Sequence, residues 1–335
     1  MKSIKIVFAA LLVLNLFSCQ QKERIKKIEG EAIGTYYVIT LVGGDGITKH
    51  NIDSVNQILT RSVSIFDSTS LLSKINNNQE DIVDGILEDL IRSSIKVSQE
   101  TGGAFDCTVG ALVNLWGFGK DKKKTVDSLK VTQALEATGY QKISLNHQKI
   151  IKENSDIQLN FNAIAKGYLV DMLAKYLDSQ GVENYLIDIG GEVRAQGEKQ
   201  SGKPWKVGVQ VPTESKTDAA QVHEMFELKN RSVATSGNYR NYYEENGQRF
   251  SHTINPKTGY PEKTNLLSVS VIADNCAYAD ALATAFMVMG VNQSIEFLKQ
   301  RPDIGGMFIY DENGEIKTLK VNFYHNFYRP KTTCL

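Results

Sequence analysis

Apolar residues recur along the chain at two periods, and together they predict interspersed helices and strands. Residues 32–41 alternate, with Tyr36, Val38 and Thr40 on one side, and predict a strand turned by Gly43-Gly44-Asp45-Gly46. Ile52, Val55, Ile58, Leu59 and Val63 carry helical spacing, as do Ile86, Leu87, Leu90, Ile91 and Ile95, with Gly102-Gly103 as the stop. Short strands are predicted at 142–145, 149–152 and 157–161. Residues 160–167 open a helix whose core face is Tyr168, Val170, Leu173, Ala174 and Leu177, capped by Gly181. Residues 185–189 read as a buried strand ending in a tight turn at Gly190-Gly191-Glu192. Further strands are predicted at 205–211, 225–228, 233–235, 248–254 and 267–272. The alanine-rich stretch 275–285 lacks Gly and Pro and predicts a helix. Residues 292–300 predict another helix, 307–310 a strand, and Asp311-Glu312-Asn313-Gly314 a hairpin turn. With no repeat and no break in composition after residue 30, the simplest organisation is one α/β domain built on a mixed, largely antiparallel sheet flanked by helices.

Composition narrows the function classes. A chain of 335 residues with 41% hydrophobic and 23% charged content is globular and can bury a full core. Lys+Arg and Asp+Glu both number 38, so no net field recruits nucleic acid. The basic cluster at Lys120-Asp121-Lys122-Lys123-Lys124 reads as a solvated loop. At the N-terminus Lys2 and Lys5 precede an apolar run over 6–16, too short to span a bilayer comfortably but suited to a signal segment. Its end, Leu16-Phe17-Ser18-Cys19, resembles the lipobox of bacterial lipoproteins, which implies cleavage before Cys19 and lipidation of its thiol. A plain secretory signal is the alternative, and both readings export the chain. The expectation is a signal peptide over 1–18, a polar tether over 19–29 and one folded domain over 30–335, anchored to a membrane on its periplasmic, extracytoplasmic side. Cys107, Cys276 and Cys334 are widely spaced, which argues against a zinc site and leaves their pairing open.

Within the alanine-rich helix, Asp280 and Thr284 sit four residues apart, so their oxygens share a face. A carboxylate and a hydroxyl suit Mg²⁺, which fills its shell with phosphate and water. A surface pair has the same spacing, so this motif alone does not decide. The glycine-flanked stretch 103–119 offers backbone N–H groups to a ligand, or simply packs Trp116 and Phe118. The start of the helix after Asn160 is a favourable place for phosphate. His252 stands alone in a segment turned by Pro256 and Gly259.

Six stretches together resemble the ApbE-type flavin transferases: 34–37, 66–76, 102–119, 160–171, 236–261 and 273–290. Gly103-Ala104-Phe105-Asp106, Ser236-Gly237-Asn238-Tyr239-Arg240-Asn241, Ser251-His252-Thr253-Ile254-Asn255-Pro256 and Ala279-Asp280-Ala281-Leu282-Ala283-Thr284 carry the likeness. The resemblance implies FAD bound between two interleaved lobes, Mg²⁺, and transfer of FMN to a threonine hydroxyl of a target protein with release of AMP. It implies acceptors among flavoprotein subunits of membrane redox complexes. It also leaves two alternatives: an FAD pyrophosphatase, or a lipid-anchored FAD carrier without catalysis. Carried onto this chain, the resemblance assigns Asp280, Thr284 and the carbonyl of Ala163 to metal. Ile33, Phe66, Ala104, Phe105, Asp106, Asn160, Lys166 and Ile254 fall to FAD. Phe66 stands where a tyrosine is frequent, Asn160 and Asn255 where acidic residues are, and Cys107 where proline is. An attacking hydroxyl needs a base; His252 is the first candidate and Asp106 the second.

Overall fold

In the computed structural model the alternating stretches pair into one eight-stranded sheet. The structure describes residues 24–119, 126–199, 202–210, 222–237, 242–245, 248–251 and 253–323. The chain begins with β1 (Ile25–Ala32), β2 (Thr35–Val42), α1 (Lys49–Val63), α2 (Leu71–Asn76), α3 (Gly85–Glu100), α4 (Gly110–Leu115) and α5 (Ser128–Glu136). It continues through β3 (Ile143–Asn146), β4 (Lys149–Lys152), α6 (Ala165–Ser179), β5 (Tyr185–Ile189), β6 (Glu192–Gln196), β7 (Trp205–Gln210) and β8 (Val222–Leu228). The last part holds β9 (Arg231–Gly237), β10 (Tyr242–Glu245), β11 (Gln248–Ser251), β12 (Leu266–Ala273), α7 (Cys276–Gln300), β13 (Gly305–Glu312) and β14 (Glu315–Val321).

The sheet runs β1-β2-β5-β6-β9-β12-β13-β14, and each neighbouring pair is antiparallel. Helices α6 and α7 lie on one face, with α1 and α3 packed on them, and enclose the larger apolar core. The other face is covered by the β7–β8 hairpin, where Trp205, Val207, Phe226 and Leu228 meet Val193, Val233, Ile272 and Ile309. Burying these side chains supplies the main drive for closing the two layers.

Several boundaries differ from the periodicity. β1 starts at Ile25, inside the expected tether; only Ile28 and Ala32 of it are buried, and the charges between them make it read as polar. That is the pattern of an edge strand. The expected strand over 32–41 is two strands, because Ile33-Gly34 forms a two-residue turn between paired Ala32 and Thr35. Both turn residues have positive φ, 40° and 80°. Residues 157–161 do not join a sheet. Their backbone groups go instead to the loop before α4, through Gly110 N–H to Gln158 O and Asn160 N–H to Cys107 O, and to the Asn76 side chain at Leu159. β6, β14, α4 and α5 escape the periodicity because each is short or carries mixed faces. The two predicted C-terminal helices run together as α7, kinked where Gly290 takes φ 73°. Cys107 and Cys276 are buried thiols without a disulfide.

Candidate active site

The first turn of α7 is held from outside. Asn275 caps it through its side chain to Tyr278 N–H at 2.9 Å, and the Asp171 carboxylate of α6 accepts from Cys276 and Ala277 N–H, each at 2.8 Å. Three N-terminal amides that a helix leaves unpaired thereby find acceptors. The approach requires glycine at position 167, where a Cβ would lie 2.3 Å from the Cys276 carbonyl. With α6 this close, Gly167 N–H donates to Asp280 Oδ2 at 3.0 Å. Gly167 lies in the first turn of α6, where helix amides lack an intrahelical acceptor, so its N–H is free to make this bond. One turn beyond Asp280, Thr284 Oγ1 lies 3.1 Å from Ser236 Oγ on β9.

A second carboxylate enters from β6. Glu192 is only 1% exposed, and its Oε1 lies 2.5 Å from Lys166 Nζ in the first turn of α6. Burial raises the pKa of Glu192, and the charge of Asp280 raises it further, against the pull of Lys166. Burial also raises that of Asp280, opposed by Lys166 and by the Gly167 amide. Burial disfavours the Lys166 ammonium, but Glu192 and Asp280 outweigh it and hold its pKa above the ordinary value. Two buried carboxylates thus share one ammonium, which also acts on Asp188 of β5, and among the described residues Glu192 Oε2 is buried with no partner. The cluster has a deficit of positive charge and an unused acceptor, which is what a divalent cation would satisfy. Among the described residues no three His, Cys, Asp or Glu side chains group as metal ligands. An ion here would draw on hydroxyl, carbonyl and phosphate oxygens, a donor set that suits Mg²⁺.

Two cavities, of about 570 and 830 Å³, meet above this cluster and share Ile33, Gly34, Thr35, Tyr36 and Lys166 as walls. The smaller is polar, between the β5–β6 turn, Thr235, Ser236 and Gly237 of β9, and β7. The larger is more apolar, between α1, Phe66 and the turn before α6. Volumes of this size accommodate small ligands and cofactors. Asp280 and Thr284 lie behind the wall formed by Lys166 and Ser236. Ile33, a β-branched residue at positive φ, stores backbone strain at the point the cavities share.

The residues singled out from sequence separate into groups. Ile33, Phe66 and Lys166 line the cavities, Phe66 with 66% of its surface exposed. Asp280 and Thr284 come together on α7. Ala104, Phe105 and Asp106 are buried and line neither cavity. Asp106 Oδ1 accepts from Thr108 N–H and Oγ1–H, and Oδ2 from Tyr140 N–H, so the carboxylate ties its own loop to the turn at residue 140. Asn160 accepts from Asn162 N–H and shapes the turn that carries Ala163. Ile254 packs with Leu112, Trp116 and Val131 in a separate cluster. His252 and Cys19 lie outside the described residues. Sequence reading gave no role to Glu192, Asp171, Gly167 or Ser236. Asp171 carried a usable signal, a charge beside the core-facing Val170 and Ala174; Glu192, one residue after a glycine pair, carried none.

The sequence model of the ApbE family matches residues 33–308. The chain is 33% identical to an FAD:protein FMN transferase of Haemophilus influenzae, covering 93% of this chain and 94% of that protein. It is 34% identical to one of Vibrio cholerae, covering 87% and 88%. A solved flavin transferase ApbE from Vibrio cholerae superposes with a TM-score of 0.81 at 30% identity, covering 91% of this chain and 99% of that one.

Proposed function

The chain belongs to the ApbE family, a transferase that moves flavin from FAD to protein, and from this premise we propose how its own residues carry out the transfer. Asp280, Thr284 and the Ala163 carbonyl would hold Mg²⁺, and FAD would lie across the two cavities with its pyrophosphate at Lys166. Bound there, Mg²⁺ would supply charge that screens the phosphate oxygens and favours departure of AMP. The observation that carries this reading is the buried Asp280 carboxylate, held by the Gly167 amide and set beside an under-neutralised Lys166–Glu192 pair.

Phe66 offers an aromatic face to the flavin in the larger, more apolar cavity, and the adenosine half occupies the polar one. Lys166 orients the pyrophosphate by charge. The acceptor threonine hydroxyl attacks the FMN phosphorus. The P–O bond to AMP breaks as the new ester bond forms, and His252 takes the hydroxyl proton. Asp106 is the weaker candidate for that proton, because its oxygens already accept three hydrogen bonds. The enzyme is lipid-anchored through Cys19 and acts on membrane redox subunits in the same extracytoplasmic compartment.

The deciding experiment combines purified protein, FAD, Mg²⁺ and a threonine-bearing flavoprotein subunit. The expected product is a fluorescent adduct that withstands denaturation, together with one AMP per adduct. AMP without adduct would assign hydrolysis instead, and bound FAD with neither product would assign a carrier. For the anchor, Cys19→Ala should release the protein from the membrane fraction; unchanged fractionation would overturn that part.

A further inference from the structure

We infer that Glu192 is a positioning residue of the transfer site, with one carboxylate oxygen docking the Lys166 ammonium and the other accepting a hydrogen bond from a water in the magnesium shell. This inference rests on the magnesium reading above and goes beyond the ligands named there.

Glu192 is placed by the sheet. Alternation along β6 sends Val193 and Ala195 to the β7–β8 core, so Glu192 points to the opposite face, toward α6 and α7. There it is 1% exposed, with Oε1 at 2.5 Å from Lys166 Nζ. Lys166 walls both cavities, whereas Glu192 walls neither, so Glu192 works from beneath. Its grip fixes a long, flexible side chain at the junction where the pyrophosphate has to lie.

A structural ion pair does not account for the second oxygen. Buried ion pairs roughly break even against apolar replacements, and an unused buried acceptor adds cost. Among the described residues Oε2 is buried without a donor, in a cluster that already repels it through Asp280. Mg²⁺ dehydrates reluctantly and keeps several waters, and those waters need acceptors. Asp280 supplies a carboxylate from α7, and Glu192 brings its second oxygen to the same cluster from the sheet side.

The test titrates Mn²⁺, read by the electron paramagnetic resonance of free ion, against the full chain with FAD present. Parent, Asp280→Ala, Glu192→Gln and Glu192→Asp are compared, together with KM for FAD, kcat and thermal midpoint. Glu192→Gln should weaken Mn²⁺ binding about 10-fold or more. It should raise KM for FAD more than it lowers kcat, with the fold retained. If the Glu192→Gln variant fails to fold, Glu192→Asp, which is too short to serve both partners, should show the same loss of Mn²⁺. Parent-like Mn²⁺ and FAD binding in the folded variant would make the pair merely structural and overturn the inference. Loss of Mn²⁺ in Asp280→Ala alone would overturn this inference and leave the magnesium reading standing. Retention of Mn²⁺ in Asp280→Ala would overturn both.

Discussion

Two cations in this molecule, one buried and one lining the cavities, are treated in opposite ways. Arg231 on β9 is fully buried, yet its guanidinium reaches Asp274, the Ile272 carbonyl and the Asp303 carbonyl, the last at 2.7 Å. Its carboxylate partner, Asp274, stays 59% exposed and keeps much of its hydration. Lys166 is paired instead with a carboxylate that is 1% exposed, faces a second buried acid, and has one oxygen unused. The cation that serves the fold is paired with a carboxylate that stays in water. A cluster that serves a ligand stays incomplete, and the protein bears the desolvation cost until the ligand arrives.

The sharpest break of this contrast is a crossed pair of substitutions. Asp280→Ala should lower flavin transfer on the order of 10²–10³-fold, as loss of a group that stabilises developing charge does. Its urea midpoint should hold or rise, because an under-compensated buried acid is gone. Arg231→Met should do the reverse: Mn²⁺ affinity and kcat hold, and stability falls by about 2–3 kcal/mol as the carbonyls lose their donor. If Arg231→Met impaired metal binding while leaving urea unfolding untouched, the division into structural and functional charges would collapse.

Gly167→Ala probes the coupling between helix packing and the incomplete cluster. A Cβ that meets Cys276 O at 2.3 Å forces α6 away from α7, at about 1–3 kcal/mol in urea unfolding. The Gly167–Asp280 hydrogen bond lengthens with it, so Mn²⁺ affinity should fall in parallel; a purely structural effect would leave affinity alone.

Asp106 belongs with Arg231, since Thr108 and the Tyr140 amide satisfy it. Burial nonetheless raises its pKa, against the hydrogen bonds from Thr108 and Tyr140. The folded state therefore holds this proton more tightly than the unfolded chain. The associated stability is complete below the unfolded value, about 4, and is lost as pH rises through the folded pKa. In urea melts, the parent's margin over Asp106→Asn should shrink across that rise. The pH–rate profile should keep its shape in Asp106→Asn and lose its basic-group limb in His252→Ala; a profile altered by Asp106→Asn instead would move the base.

Ile33 is the backbone counterpart of the incomplete cluster, strained where the cavities meet. Ile33→Asn suits the positive φ better and should stabilise by about 0.5–1 kcal/mol while weakening FAD binding, read by fluorescence titration. Stabilisation without any change in FAD binding would mark the strain as incidental.

The sequence by itself determined what depends on neighbours within one turn or one strand. The spacing of α1, α3 and α6, the buried run of β5 and the shared face of Asp280 and Thr284 are local properties, legible because 3.6- and 2-residue periods are set by the backbone. The ordered motifs likewise identified the ApbE resemblance. Tertiary structure alone decided which partners those residues meet. Glu192 finds Lys166 only through the register of β6 and the crossing of α6, and Asp171 finds α7 more than a hundred residues away. The same holds for Asp106, whose carboxylate is taken up by Thr108 and by the Tyr140 amide from a separate turn. Whether a polar side chain is satisfied by the fold or left for a ligand depends on long-range packing, and no periodicity along the chain encodes it.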